Sequence, residues 1–144
     1  MTTLLAFLVT LGVLITIHEY GHYRVARACG VKVLKFSVGF GKTIWSRTDK
    51  HGTEFAVSWL PLGGYVRMLD EREAPVPYEL RSQAFNTQPV SRRMAIVAAG
   101  PAANLLLAAL LYAGIAWHGM QEFSPVIAQP GAGSIAEQAG LRSG

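Results

Sequence analysis

The sequence predicts an α-helical membrane protein with a β insertion, and three observations carry that reading. Of its 144 residues, 51% are hydrophobic and only 15% are charged, against about 25% charged in an ordinary soluble domain. Two long uncharged stretches, Met1–Ile17 and Met94–Trp117, bracket a polar middle. Twelve of the thirteen Lys and Arg residues lie between Arg24 and Arg93, and the thirteenth is Arg142. The expected architecture is two transmembrane helices, an intervening β-hairpin region and the start of a further domain.

The formal charge of +4 and a pI near 9.5 admit nucleic acid as a partner. The placement of the charge argues against it. Basic residues confined between two apolar spans follow the positive-inside rule, and no helix-turn-helix or aromatic–basic interleaving accompanies them. The partner expected is a lipid bilayer, with no nucleic acid. Residues 24–93 then face the cytoplasm, and the N-terminus and the residues after about 118 lie on the other side. A single cysteine, Cys29, excludes an internal disulfide framework and a cysteine-rich zinc finger.

Residues 1–28 form the first helix. No Lys or Arg precedes the apolar run and no small-x-small site follows it, so it reads as retained rather than as a cleaved signal peptide. Ala26–Cys29 departs from a lipoprotein cleavage box by its internal Arg27. The helix is interrupted by His18-Glu19-Tyr20-Gly21-His22, an H-E-x-x-H pattern. Positions i and i+4 lie about 40° apart around a helix, so both imidazoles face one way and can share a metal. Glu19 is displaced by about 60° from His22 on the side away from His18. Neutral imidazoles hold Zn²⁺ and leave positions open for water, whose proton a nearby carboxylate can take and return to a leaving amine. Charged residues within a membrane helix are costly and usually mark function.

Residues 29–69 read as β structure. Val31–Val38, Thr43–Arg47, Thr53–Trp59 and Tyr65–Met68 are rich in β-branched and aromatic residues, and Asp49-Lys50-His51-Gly52 reads as a hairpin turn. Phe55–Trp59 is apolar enough to dip into lipid, and a small soluble cytoplasmic hairpin domain is the other reading of the same segment. Residues 70–91, with Pro75, Pro77 and Pro89, form a polar linker with one short amphipathic turn near Tyr78–Phe85. His51 and His118 read as loop and interfacial residues, and Cys29 as a small packing residue.

Residues 92–120 form the second helix. Its uncharged core of 24 residues can cross a hydrocarbon layer about 30 Å thick. Gly100-Pro101 sits about a turn inside it, and Asn104 follows on the face of Gly100 at i+4, where an ordinary hydrogen bond between helices would equally account for it. Residues 121–144 change character: Pro125–Ala128, a Pro-Gly-rich turn and then Ile135–Leu141 read as strand, turn and short helix.

Together these motifs resemble the site-2 protease family of intramembrane zinc metalloproteases, closest to its regulator-of-sigma-E protease branch. His18–His22 matches the zinc motif of the first helix. Gly39-Phe40-Gly41 and Pro61–Val66 match segments of the following loop. Gln88–Arg93 leading into Ala99–Asn104 matches the start of the second helix. The resemblance implies His18 and His22 as zinc ligands and Glu19 as the catalytic base. It implies a membrane-re-entrant β-hairpin whose edge strand pairs with substrate, Gly39 and Gly41 allowing close backbone approach. Asn104 becomes a substrate- or transition-state-contacting donor, and residues 121–144 the start of an incomplete PDZ domain.

The implied substrates are single-pass membrane proteins, such as anti-sigma factors or signal-peptide remnants, and the implied location is the bacterial inner membrane. The family's third zinc ligand is an Asp in an L-D-G motif on a later helix. No such motif occurs here: Asp49 and Asp70 are the only aspartates. The longer H-E-x-x-H-x-x-G-x-x-H pattern also fails, at Val25 and Ala28. The expectation is an N-terminal fragment, inactive alone, whose third ligand belongs to the remainder of the protease chain. The rival reading is a non-catalytic membrane scaffold or PDZ-type binding module.

Overall fold

The computed structural model describes residues 1–119 and 129–140. Helix α1 spans Thr2–Ala28, strand β1 Val33–Thr48 and strand β2 Glu54–Met68. A 3₁₀ turn covers Tyr78–Gln83, helix α2 spans Val90–His118, and a short helix, α3, spans Ile135–Gln138. Both long helices have the length and apolar character to cross a membrane, at 27 and 29 residues.

Inside α1 the Thr16 hydroxyl donates to the Gly12 carbonyl (2.7 Å), so this polar group is satisfied within the helix itself. The helix ends at Ala28, and Gly30, with a φ of +81°, reverses the chain just beyond it. The Val31 N–H then returns to the Ala26 carbonyl at 2.9 Å, closing the C-terminus as a Schellman-type turn does.

The outer pairings of strands β1 and β2 are antiparallel, with Val33 opposite Met68 and Thr48 opposite Glu54, whereas Lys35–Val38 runs in step with Glu54–Val57. Both strands bend. The first half of β1 is flanked on two sides: Phe36 faces Val66 and Phe55, and Ser37 faces Tyr65 and Ala56. Two strands thus make a sheet four segments wide, in the order 43–48, 54–58, 33–38 and 64–68. The four short strands expected from composition are present as halves of two long ones. At the bend, Gly39 has a φ of +90° and stands against backbone, because a Cβ there would lie 2.8 Å from the Ser58 carbonyl oxygen and 2.7 Å from that of Leu60. The Asp49–Gly52 turn is closed by the Asp49 carboxylate, which accepts from the N–H groups of His51 (2.8 Å) and Thr53 (2.9 Å).

The core lies where the sheet meets both helices. Tyr23 and Ala26 from α1, Val31 and the β1 residues Val33 and Phe36, and Ile96 from α2 form one buried cluster, with Cys29 packed against it. Tyr23 meets Phe55 edge-on at 5.3 Å. Residues 69–89 are more than a linker, since they are laced onto the sheet. Lys32 N–H donates to the Gln83 carbonyl (3.0 Å) and Phe85 N–H to that of Leu69 (2.7 Å). The buried Gln88 amide donates to the Ser82 carbonyl at 2.7 Å.

Residues 1–110 form one compact unit, and a second begins at Leu111. In the second, the Gln138 N–H donates to the Ser134 carbonyl (3.0 Å) at the start of α3. Much of the expected PDZ start falls at 120–128 and 141–144, outside the described residues.

Candidate metal centre

His18 and His22 stand one turn apart on the face of α1 that meets α2. Their Nε2 atoms converge to 3.2 Å. Two nitrogens held at about 2.0–2.1 Å from one tetrahedral zinc sit about 3.4 Å apart. The spacing therefore suits a shared metal. The other ring nitrogen of His22 is anchored, because Nδ1–H donates to the Ile96 carbonyl at 2.7 Å. That bond fixes the ring and leaves the Nε2 lone pair for a ligand.

Glycine creates the room. A Cβ on Gly100 would collide with Nε2 of His22 and lie 2.6 Å from Nε2 of His18. The missing side chain thus leaves a hollow where the two lone pairs meet, as an ion between them requires. Gly21 brings α1 and α2 into backbone contact, since a Cβ there would be 2.5 Å from the Ala99 carbonyl oxygen and 2.8 Å from the Ala103 methyl. Small residues at a helix crossing allow this approach.

Glu19 lies on the sheet-facing side. A Cβ on Gly64 would be 3.1 Å from the Glu19 Cγ and 3.3 Å from Ile15 Cγ2. Glu19 and His22 open onto a cavity of about 310 Å³, also lined by Val66, Arg67, Met68 and Ile96. The outermost sheet segment, 64–68, therefore runs past the carboxylate.

The structure brings four of the six residues singled out in the sequence together: His18, Glu19, His22 and Asn104. The Asn104 amide nitrogen lies 3.5 Å from His18 Nδ1. Gly39 and Gly41 are elsewhere: Gly39 packs on its own sheet, the nearest atom to a Gly41 Cβ is Leu60 Cδ1 at 3.9 Å, and neither is among the residues lining the cavity. Among the described residues, no cluster of three or more His, Cys, Asp or Glu side chains is placed to hold a metal. Gly21, Gly64, Gly100 and the Ile96 carbonyl complete the site. The three glycines lie within motifs already singled out in the sequence, whereas the Ile96 carbonyl has no signal there.

Two helices apolar enough to span a membrane thus approach each other at an H-E-x-x-H pair. The model of peptidase family M50 matches residues 6–137, and the chain belongs to that family. The resemblance to site-2 proteases read from its motifs is thereby borne out. The chain is 52% identical over 141 residues to the regulator of sigma-E protease RseP of Escherichia coli strain K12, covering 98% of this chain and 31% of the relative. It is 53% identical over 142 residues to protease RseP of Yersinia pestis, covering 99% and 32%. A Pasteurella multocida protein described as a candidate zinc metalloprotease is 52% identical over 134 residues, covering 93% and 30%. The chain thus spans about a third of the length of these relatives.

Proposed function

We propose that this chain carries the base and two zinc ligands of an intramembrane endopeptidase that cleaves transmembrane segments of single-pass membrane proteins. The observation that carries the reading is the convergence of both Nε2 atoms, 3.2 Å apart, on the hollow under Gly100, with Glu19 opening onto the adjoining cavity. Zinc bound there supplies a Lewis acid that polarises the scissile carbonyl and acidifies water. A third protein ligand comes from outside the described residues.

The chain's own groups do the rest. His18 and His22 hold the metal, and the Ile96 carbonyl keeps the His22 ring aimed. The Glu19 carboxylate takes a proton from the attacking water and delivers it to the leaving nitrogen. The outer edge of segment 64–68, beside Glu19, pairs with an extended substrate backbone by strand addition, a reading supported by its position at the edge of the sheet. The substrates are anti-sigma factors or signal-peptide remnants, a reading supported by relatives named for sigma-E regulation. The setting is the bacterial inner membrane with residues 24–93 cytoplasmic, supported by the charge asymmetry. Residues 121–144 begin a PDZ domain on the opposite side, supported by the turn and helix at 131–138.

In the full-length protein, Glu19→Gln should retain zinc and lower cleavage of a membrane substrate by about 10²–10⁴-fold, since an amide cannot accept the proton. His18→Ala should lose both zinc and activity. Near wild-type cleavage by the Gln variant would remove Glu19 from the chemistry.

A further inference from the structure

Arg93 stands where α2 changes from charged to apolar, directly before its 24 uncharged residues. The acidic residues of the sheet and of segment 70–73 are taken by other cations. Asp49 pairs with Arg27, Glu54 with Lys35, Asp70 with Arg72, Glu71 with Arg81 and Glu73 with Arg67. Its neighbour Arg92 bonds the Gln88 Oε1 (3.1 Å) and the Cys29 carbonyl (3.3 Å). Arg93 has no ion pair and no side-chain hydrogen bond among the described residues, and its Nε is buried without a partner. A buried donor left unpaired is costly and uncommon. The first turn of α2 adds to the imbalance: it contains two arginines and no acidic residue, although the N–H groups of a helix start favour negative charge.

The Arg93 side chain lines a cavity of about 650 Å³, a volume within the range of about 300–1,000 Å³ usual for small-molecule sites. Val90, Met94, Val97 and Pro101 form an apolar wall of it. Their spacing puts them on one face of α2, and that face continues into the uncharged part of the helix. Val90, Met94 and Val97 are exposed. Arg72 also lines the cavity, already balanced by Asp70 at 2.7 Å. The cavity therefore offers a free positive charge where the span begins and an apolar groove leading away along it. That polarity matches a molecule with an anionic head and a hydrocarbon tail.

We propose that this cavity binds an anionic phospholipid, with its phosphate on the Arg93 guanidinium and the first part of an acyl chain along Val90, Met94, Val97 and Pro101. The proposal rests on the reading of α2 as a membrane span and is independent of the metal centre. The guanidinium fork suits phosphate oxygens, and basic pockets at the ends of membrane helices bind anionic headgroups. A carboxylate from another part of the protein would also satisfy Arg93, but it would leave the exposed apolar face beyond it unexplained.

The test uses full-length protein in a neutral detergent, titrated with phosphatidylglycerol or with zwitterionic phosphatidylethanolamine, and native mass spectrometry counts the bound lipid. Wild type should bind phosphatidylglycerol the more tightly, and an equal concentration of inorganic phosphate should not displace it. Arg93→Gln should weaken phosphatidylglycerol binding by about 10–100-fold, the loss expected for a hydrogen bond to a charged group. Arg92→Gln removes the same charge from the same turn and should change it little. Met94→Ser should weaken it several-fold with Arg93 intact, an arm that stands even if Arg93→Gln does not fold. Equal affinity for the two lipids, displacement by inorganic phosphate, or the same loss in Arg92→Gln as in Arg93→Gln would overturn the site. Unchanged binding in Arg93→Gln would overturn it as well, and would assign the guanidinium to a carboxylate of the protein. Full-length protein that stays in solution without detergent would remove the membrane span itself.

Discussion

The helix crossing and the outer half of the sheet draw on the same apolar composition and use it in opposite ways. At the crossing, side chains are taken away. Gly21, Ala99, Gly100 and Ala103 let two backbones touch, and the space left over is a hollow between two imidazole nitrogens. At the bends of β1 and β2, large side chains are added and left uncovered. Ile44 is 62% exposed, Trp45 55%, Trp59 72% and Leu62 55%. Such a concentration on one hairpin region exceeds what scattered surface residues provide and marks a contact surface. Hydrophobicity alone therefore does not locate the site. Absent volume positions the chemistry, and excess apolar surface positions the molecule in its solvent.

If that division is right, changes in the two regions should have separable effects. The largest is expected at the crossing. Gly21→Leu forces a side chain into the Ala99 carbonyl and the Ala103 methyl, and overpacking of this kind costs about 1–3 kcal/mol. Thermal unfolding should fall, and zinc affinity with it, because His22 is aligned through Ile96 on the displaced helix. A titration with a competing chelator reads the second effect, and a variant with normal affinity would show that the crossing does not set the centre.

A smaller and different effect is expected at the sheet bends. The double substitution Ile44→Ser with Trp59→Ser should leave zinc affinity unchanged and weaken the seating of this region in lipid. Each large side chain contributes roughly 1.5–3 kcal/mol when removed from water. In wild type, brominated acyl chains should quench Trp45 and Trp59 fluorescence. Protection of both residues, with quenching of Trp117 alone, would place the sheet bends in water.

The smallest effect concerns acid. Loss of solvent raises the Asp49 carboxyl, but the Thr53 and His51 amides and the nearby His51 and Arg27 charges outweigh it and hold it below the ordinary 3.8. The hydrogen bond from Arg72 does the same for Asp70, against a weaker desolvation. Both carboxylates are favoured when folded, so their contribution is complete above the ordinary value and is lost as pH falls through the lower folded one. Below pH 3.8 the Asp49 turn and the 70–72 corner should loosen. Amide exchange at His51, Thr53 and Arg72 measures this, and protection that persists well below that pH would contradict it.

The sequence made the helical half of the site legible, because a shared face at i and i+4 is a local property of one helix. His18, Glu19 and His22 needed no tertiary information. Asn104 could be placed on the Gly100 face but not against His18, since that contact joins residues 86 positions apart through a crossing that composition does not specify. Ile96 was invisible because its role is played by a backbone carbonyl, which every residue has. The β-rich segments were legible by residue type, but their register was not, because it depends on bends at 39–42 and 61–63 that let each strand pair twice. Gly39 and Gly41 illustrate the consequence: a glycine suited to close approach was found, but in Gly39 the approaching backbone is the chain's own.

On the proposed function, the hollow under Gly100 admits a metal held by His18 and His22. Zinc X-ray absorption on the full-length protein tests it most directly, with wild type and Gly100→Val compared at equal protein concentration. Two imidazole nitrogens at about 2.0–2.1 Å should appear in wild type, and the valine, whose Cβ occupies the hollow, should abolish that signal together with bound zinc. A wild-type spectrum with fewer than two imidazoles, or a Gly100→Val spectrum indistinguishable from wild type, would contradict the account.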